Sequence, residues 1–172
     1  MPLFSNPNRR HCLLAASALF FARPSEALEA PPGKVFLTLS GNIQFKNAGE
    51  RADFDMAMLA ALPQHSFTTN TPWYKDKKKF TGPLLRDVLD AAGARGNTLR
   101  AVALNNFKVE ISVADTRKFP MLLALLMDDQ PMRVRDKGPL FIIYPFDADP
   151  ALRSTHYYNR SVWQLRSIEV LQ

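Results

Sequence analysis

The sequence predicts one α+β domain with a β-rich core, preceded by an export signal. Three observations carry the prediction. Residues 35–39, 99–104, 109–113, 140–144 and 161–171 are alternating or continuously apolar and read as strands. Helical periodicity is confined to short stretches. The 172 residues, 47% hydrophobic and 22% charged, match one domain able to bury a core.

The signal occupies residues 1–27. Arg9 and Arg10 supply a basic start, and residues 12–22 (CLLAASALFFA) form an apolar run. That run is far short of the roughly 20 residues a membrane-spanning helix needs. Ser25 and Ala27 hold the small-x-small positions before a cut after Ala27, leaving 28–172 as a periplasmic or secreted protein. Arg9-Arg10-His11-Cys12-Leu13 matches a twin-arginine signal in part, so Sec and twin-arginine export both stay open. The chain is not expected to be an integral membrane protein.

Cys12 is the one cysteine and falls inside the signal. The mature protein therefore has no disulfide, thiolate metal site or cysteine nucleophile. Cleavage removes three arginines and one glutamate, which lowers the net charge from +6 to +4. A modestly basic body suits an anionic ligand. The chain has no basic arm and no nucleic-acid motif, so nucleic acid is not an expected partner.

Each element has its own reason. Residues 35–39 follow Pro31-Pro32-Gly33 and end at Ser40-Gly41-Asn42, with 43–45 as a hairpin partner. Residues 53–62 read as a helix capped by Asp53, with Phe54, Met58 and Leu59 on one face and Pro63 as the stop. Residues 65–69 form a short strand, and 75–79 a lysine-rich turn. A helix over 84–92 has Thr81 or Gly82 near its cap, Pro83 in its first turn and Gly93 as its end. Asn105-Asn106 turns the chain between strands 99–104 and 109–113. The apolar run 121–127 fits strand or helix alike. Asp128 to Pro131 form a turn, and Pro145 closes the buried strand 140–144. Residues 146–160 are the longest aperiodic stretch and a natural place for a site.

Four segments occur in a characteristic order. They are Phe80-Thr81-Gly82-Pro83-Leu84-Leu85-Arg86-Asp87-Val88-Leu89, Asn106-Phe107-Lys108-Val109-Glu110-Ile111, Asp136-Lys137-Gly138-Pro139-Leu140 and Asn159-Arg160-Ser161-Val162-Trp163-Gln164-Leu165. Together, over roughly residues 35–171, they resemble the oxidoreductase molybdopterin-binding domain of sulfite oxidase and related enzymes, in its short exported branch. The resemblance implies a β-rich sulfite-oxidase molybdopterin-binding-type fold with short helices. It also implies molybdenum on a pterin dithiolene, held by one cysteine thiolate.

The matching segment, Ser66 to Trp73, contains no sulfur. Thr68, Thr69 and Asn70 stand there instead, and a hydroxyl would have to ionise to replace a soft thiolate. Lys137 takes the place of a family histidine, Ile142 that of an arginine and Trp163 that of a lysine. Arg160-Ser161 match the pattern. A pterin phosphate needs several directed positive donors, and Lys137 and Arg160 are those that remain.

The expected function is a catalytically silent binding domain. Its cleft would be lined by His65, Thr69, Asn70, Trp73, Lys137, Arg160 and Trp163. It would take a small anion or a piece of pterin and report it to a membrane-bound sensor or redox partner. Molybdopterin is the one cofactor implied, and no catalytic residue or metal ligand is assigned. The alternatives are an oxidoreductase holding molybdopterin through pterin contacts alone, and a structural subunit of an envelope complex. His156 beside Tyr157-Tyr158 either lines a pocket or closes the loop. Trp73-Tyr74 before Lys75–Lys79 is either an anion patch or a solvated turn. The methionines are scattered as core filling.

Overall fold

The computed structural model describes residues 28–172. The signal expected over 1–27 lies outside the described residues. The observed fold is α+β, with strands dominating.

Its largest sheet has the order β2-β1-β11-β5-β6, made from β1 (Val35–Gly41), β2 (Ala52–Asp55), β5 (Thr98–Ala103), β6 (Lys108–Ser112) and β11 (Leu165–Leu171). β11 is central, parallel to β1 and antiparallel to β5. Its inner face is built by alternation: Leu37, Leu39, Leu99, Ala101, Ala103 and Ile168 are fully buried. The outer face is wet. There Arg100 bridges its cross-strand neighbours, with Nη1 2.9 Å from Glu169 Oε2 and Nη2 3.3 Å from Glu110 Oε1.

A second sheet has the order β3-β4-β8-β9, from β3 (Gln64–Thr69), β4 (Lys78–Pro83), β8 (Leu126–Met127) and β9 (Gln130–Pro131). β7 (Leu122–Ala124) and β10 (Phe141–Ile143) form a ribbon buried on both faces. The run 121–127, open between helix and strand, is therefore two short strands. β7 passes so close to β4 that a Cβ on Gly82 would lie 2.1 Å from the Leu123 carbonyl oxygen. Glycine is required there for clearance. Phe80 on β4 meets Phe141 on β10 edge to face at 5.7 Å, joining the two sheets through the core.

Four short helices complete the fold: α1 (Met56–Ala61), α2 (Leu85–Ala91), α3 (Val113–Lys118) and α4 (Thr155–Arg160). α1 starts two residues later than its pattern predicts. Asp55, not Asp53, is the cap, accepting from Met58 N at 2.8 Å and Gly33 N at 2.8 Å. Asp53 and Phe54 belong to β2, which takes the hairpin place beside β1 that was expected of 43–45. Ile43 instead makes an isolated bridge to Ala94. α2 begins after Leu84, so Thr81, Gly82 and Pro83 are strand rather than cap. Lys78 and Lys79 are strand too, neutralised by Asp128 and Asp129 from the neighbouring turn. Among the described residues no helix is long and apolar enough to cross a membrane.

Candidate functional site

Trp73 lies in the loop between β3 and β4, half-buried. Its ring sits among four others, with centroids 5.6 Å from Phe141, 6.2 Å from Phe146, 6.1 Å from Tyr158 and 5.5 Å from Trp163. The interplanar angles of 59–74° are the edge-to-face arrangement that ring quadrupoles prefer. Loop 70–77, strand β10, the loop before α4, α4 itself and the approach to β11 each contribute one ring. Five distant pieces of sequence are thereby pinned at one place.

Lys137 adds a charge to this cluster. It follows a 3-10 turn (Val134–Asp136) and adopts a left-handed conformation, φ 69°. Its carbonyl accepts from Gln164 N at 2.9 Å, tying it beside Trp163. The ammonium lies 3.9 Å from the Trp163 ring centroid and 5.7 Å from that of Tyr74. Such a cation–π contact contributes about 0.5–2 kcal/mol. Burial holds the Lys137 ammonium below the usual lysine range. Burial first, and Asp136 and Asp128 second, push the Tyr74 phenol up to about 12. Its hydroxyl donates to the Asp136 carbonyl at 3.3 Å, the one hydrogen bond that fixes this ring against the Lys137 turn.

A cavity of about 270 Å³ opens beside the rings. Trp73, Tyr158, Trp163 and Phe107 give it aromatic walls, while Asn105, Asn159 and Ser161 supply polar edges. It falls just below the roughly 300–1,000 Å³ of drug-sized ligand sites, so it suits a small ring system. Phe107, on the cavity wall, is 47% exposed, and Leu104 and Val134 are exposed apolar side chains at 44% and 53%. Leu104 N donates to the Gln164 carbonyl at 2.9 Å, and Gln164 Nε2 donates to the Val134 carbonyl at 2.8 Å.

Thr69 and Asn70 do not line this cavity and are already engaged. The Thr69 hydroxyl accepts from Asp147 N at 3.0 Å. The Asn70 backbone N–H donates to the Asp147 carboxylate at 3.1 Å, and its side-chain amide at 3.2 Å. Lys77 Nζ and Arg153 Nη2 reach the same carboxylate at 3.1 Å and 2.9 Å. Burial raises the affinity of Asp147 for a proton, but the bonds from Lys77 and Asn70 outweigh it and hold the carboxyl below the usual range. This cluster anchors the chain at Asp147 to the end of β3. It buttresses the cavity wall through Phe146, which touches Trp73.

Arg160 lies outside the cavity. Its Nη1 donates to Asp115 Oδ2 at 2.7 Å, and the Tyr144 hydroxyl donates to the same oxygen at 3.3 Å. The pair is largely buried, with the two side chains 23% and 15% exposed. It staples α4 to α3. His65 is exposed near the start of β3, opposite Gly82, while Thr69 is at the far end of that strand. His156 is exposed on α4, edge-on to Tyr157 at 4.9 Å.

Of the seven predicted site residues, then, Trp73, Lys137 and Trp163 converge. Thr69 and Asn70 support them, and Arg160 and His65 stand elsewhere. Sequence reasoning named Tyr74 as part of a possible anion patch but missed Asn105, Phe107 and Asp147 as site residues. Phe107 carried a signal: an aromatic at a hairpin tip has no core reason to be there. Asp147 carried none. Among the described residues, no three His, Cys, Asp or Glu side chains gather to hold a metal ion.

No family model matches the sequence, and no curated protein matches it.

Proposed function

We propose that this is an exported, catalytically silent binding module of the sulfite-oxidase molybdopterin-binding type. Its aromatic cavity takes a small, flat, polar-edged anion of pterin type. The observation that carries the reading is the convergence of Trp73, Trp163 and Lys137 beside a cavity with amide and hydroxyl edges. Rings provide faces for stacking a planar heterocycle; Asn159 and the Asn105 amide nitrogen provide edge hydrogen-bonding groups, and Ser161 Oγ, which donates to the Tyr157 carbonyl, keeps its accepting capacity. Lys137, kept partly out of water, supplies nearby positive charge.

The complete molybdenum cofactor does not fit these residues. The segment expected to ligate the metal offers Thr69 and Asn70, both committed to Asp147. Arg160, expected to meet the pterin phosphate, is neutralised by Asp115. That leaves Lys137, which reaches the Trp163 ring but is not part of the cavity wall: too few directed donors for a phosphate. No step of chemistry is therefore assigned to the site.

Phe107, exposed on the cavity wall, is where a membrane-bound sensor or redox protein would read its occupancy. Export with cleavage after Ala27 would bring the module to such a partner. Elemental analysis of protein purified from the periplasm of a host that makes the cofactor tests the silent reading. Folded protein free of molybdenum is expected. A near-stoichiometric molybdenum content would replace this reading with that of an oxidoreductase.

A further inference from the structure

A second cavity, of about 500 Å³, shares no lining residue with the aromatic one. Phe36 of β1, Met56 and Ala60 of α1, Leu125, Leu126 and Met132 give it a wall almost wholly of carbon. Its volume lies inside the roughly 300–1,000 Å³ range of small-molecule sites. Polar groups on the wall are few. Gln64 spends its amide hydrogens on the Leu59 and Leu62 carbonyls at 3.0 Å and 2.8 Å. The Thr81 hydroxyl is buried without a hydrogen-bond partner. An orphan of this kind costs about 1–3 kcal/mol, so a wall shaped for stability alone would carry valine at this position. The outside is different: Lys34, exposed, holds its ammonium 5.4 Å from the Phe36 ring centroid.

We propose that this cavity binds an aliphatic carboxylate, with the hydrocarbon chain against Phe36, Met56, Ala60 and Met132 and the carboxylate beside Lys34 at the mouth. A carbon-lined space excludes a polar or charged ligand body, because burying such a group without partners costs several kcal/mol. A lysine whose ammonium lies 5.4 Å from the ring of the lining Phe36 favours an anionic head over a neutral or cationic one, by an amount limited to that of an exposed pair. The assignment is independent of the aromatic site and of any pterin.

Methionine methyls make the test. Met56 and Met132 line the cavity, while Met121 is buried elsewhere in the core. Purified protein with carbon-13 methionine methyls is titrated with decanoate, decanol and butyrate. Saturable shifts of Met56 and Met132 with decanoate, with Met121 unmoved and butyrate inert, are expected. Ala60→Phe, on the exposed side of α1, narrows the space and weakens the shifts while the Met121 signal reports an intact fold. Lys34→Ala weakens decanoate about two- to fivefold and leaves decanol unchanged. The proposal is overturned by unsaturable shifts, by an affinity that Ala60→Phe leaves unchanged, or by equal movement of Met121. Decanoate and decanol responding alike to Lys34→Ala overturns the assignment of the head group.

Discussion

Trp73 and Trp163 are the two tryptophans of the chain, and their rings meet edge to face with centroids 5.5 Å apart. One comes from the loop before β4 and the other from the approach to β11. Tryptophan fluorescence, excited beyond the absorption of tyrosine, therefore reports on the candidate site.

The first prediction concerns Lys137, whose ammonium lies 3.9 Å from the Trp163 ring centroid. Burial favours its neutral form, so its folded-state pKa is below its unfolded-state value. Stability from this group consequently rises as pH climbs through the folded value, and levels off above the unfolded one. Tryptophan emission should titrate below the ordinary lysine value of about 10.4. Tyr74, pushed up to about 12, stays protonated through that step. The inflection should vanish in Lys137→Met, and an unchanged titration in that variant would assign it to another group.

Asp147 sets the acid limit. Its carboxyl is held low in the folded state, so its contribution is full above the unfolded value near 4 and is lost as pH falls through the folded one. Melting temperature of the native protein should drop, as pH falls below about 4, more steeply than that of Asp147→Asn. Parallel curves would show that the Thr69–Asn70 anchor does not depend on the charge.

Arg160 tests the division between scaffold and site. Asp115→Ala strands its guanidinium in a largely buried place. The loss should be about 2–4 kcal/mol in chemical unfolding, below the full cost for a completely buried pair because both groups keep some solvent. Arg160→Lys should lose stability while leaving ligand affinity unchanged. A selective loss of affinity would return Arg160 to the binding site.

Much of the fold is legible in the residues. Lys108-Val109-Glu110-Ile111-Ser112 alternates, and β6 follows it; Leu140 to Tyr144 is continuously apolar because β10 is buried on both faces. The failures have physical reasons. Phe54, Met58 and Leu59 satisfy a helical period although Phe54 points inward from a strand; local spacing cannot show that β1 pairs with it. Lys78 and Lys79 look solvated until Asp128 and Asp129, far along the chain, neutralise them. α4 has six residues and no buried side chain, too short and too wet for a period to emerge. In the site, Trp73 and Trp163 stood out as the rare large rings, and Lys137 through its place in a turn motif. Arg160 was misplaced because a motif position gives no sign that Asp115 will neutralise it.

The most direct measurement is a tryptophan-fluorescence titration of the purified protein with pterin-6-carboxylate, corrected for absorption. The account predicts saturable quenching at one site per chain. Lys137→Met should weaken it, and filling the cavity with Ser161→Phe should abolish it. Quenching that rises without saturation, or that survives Ser161→Phe, would contradict it.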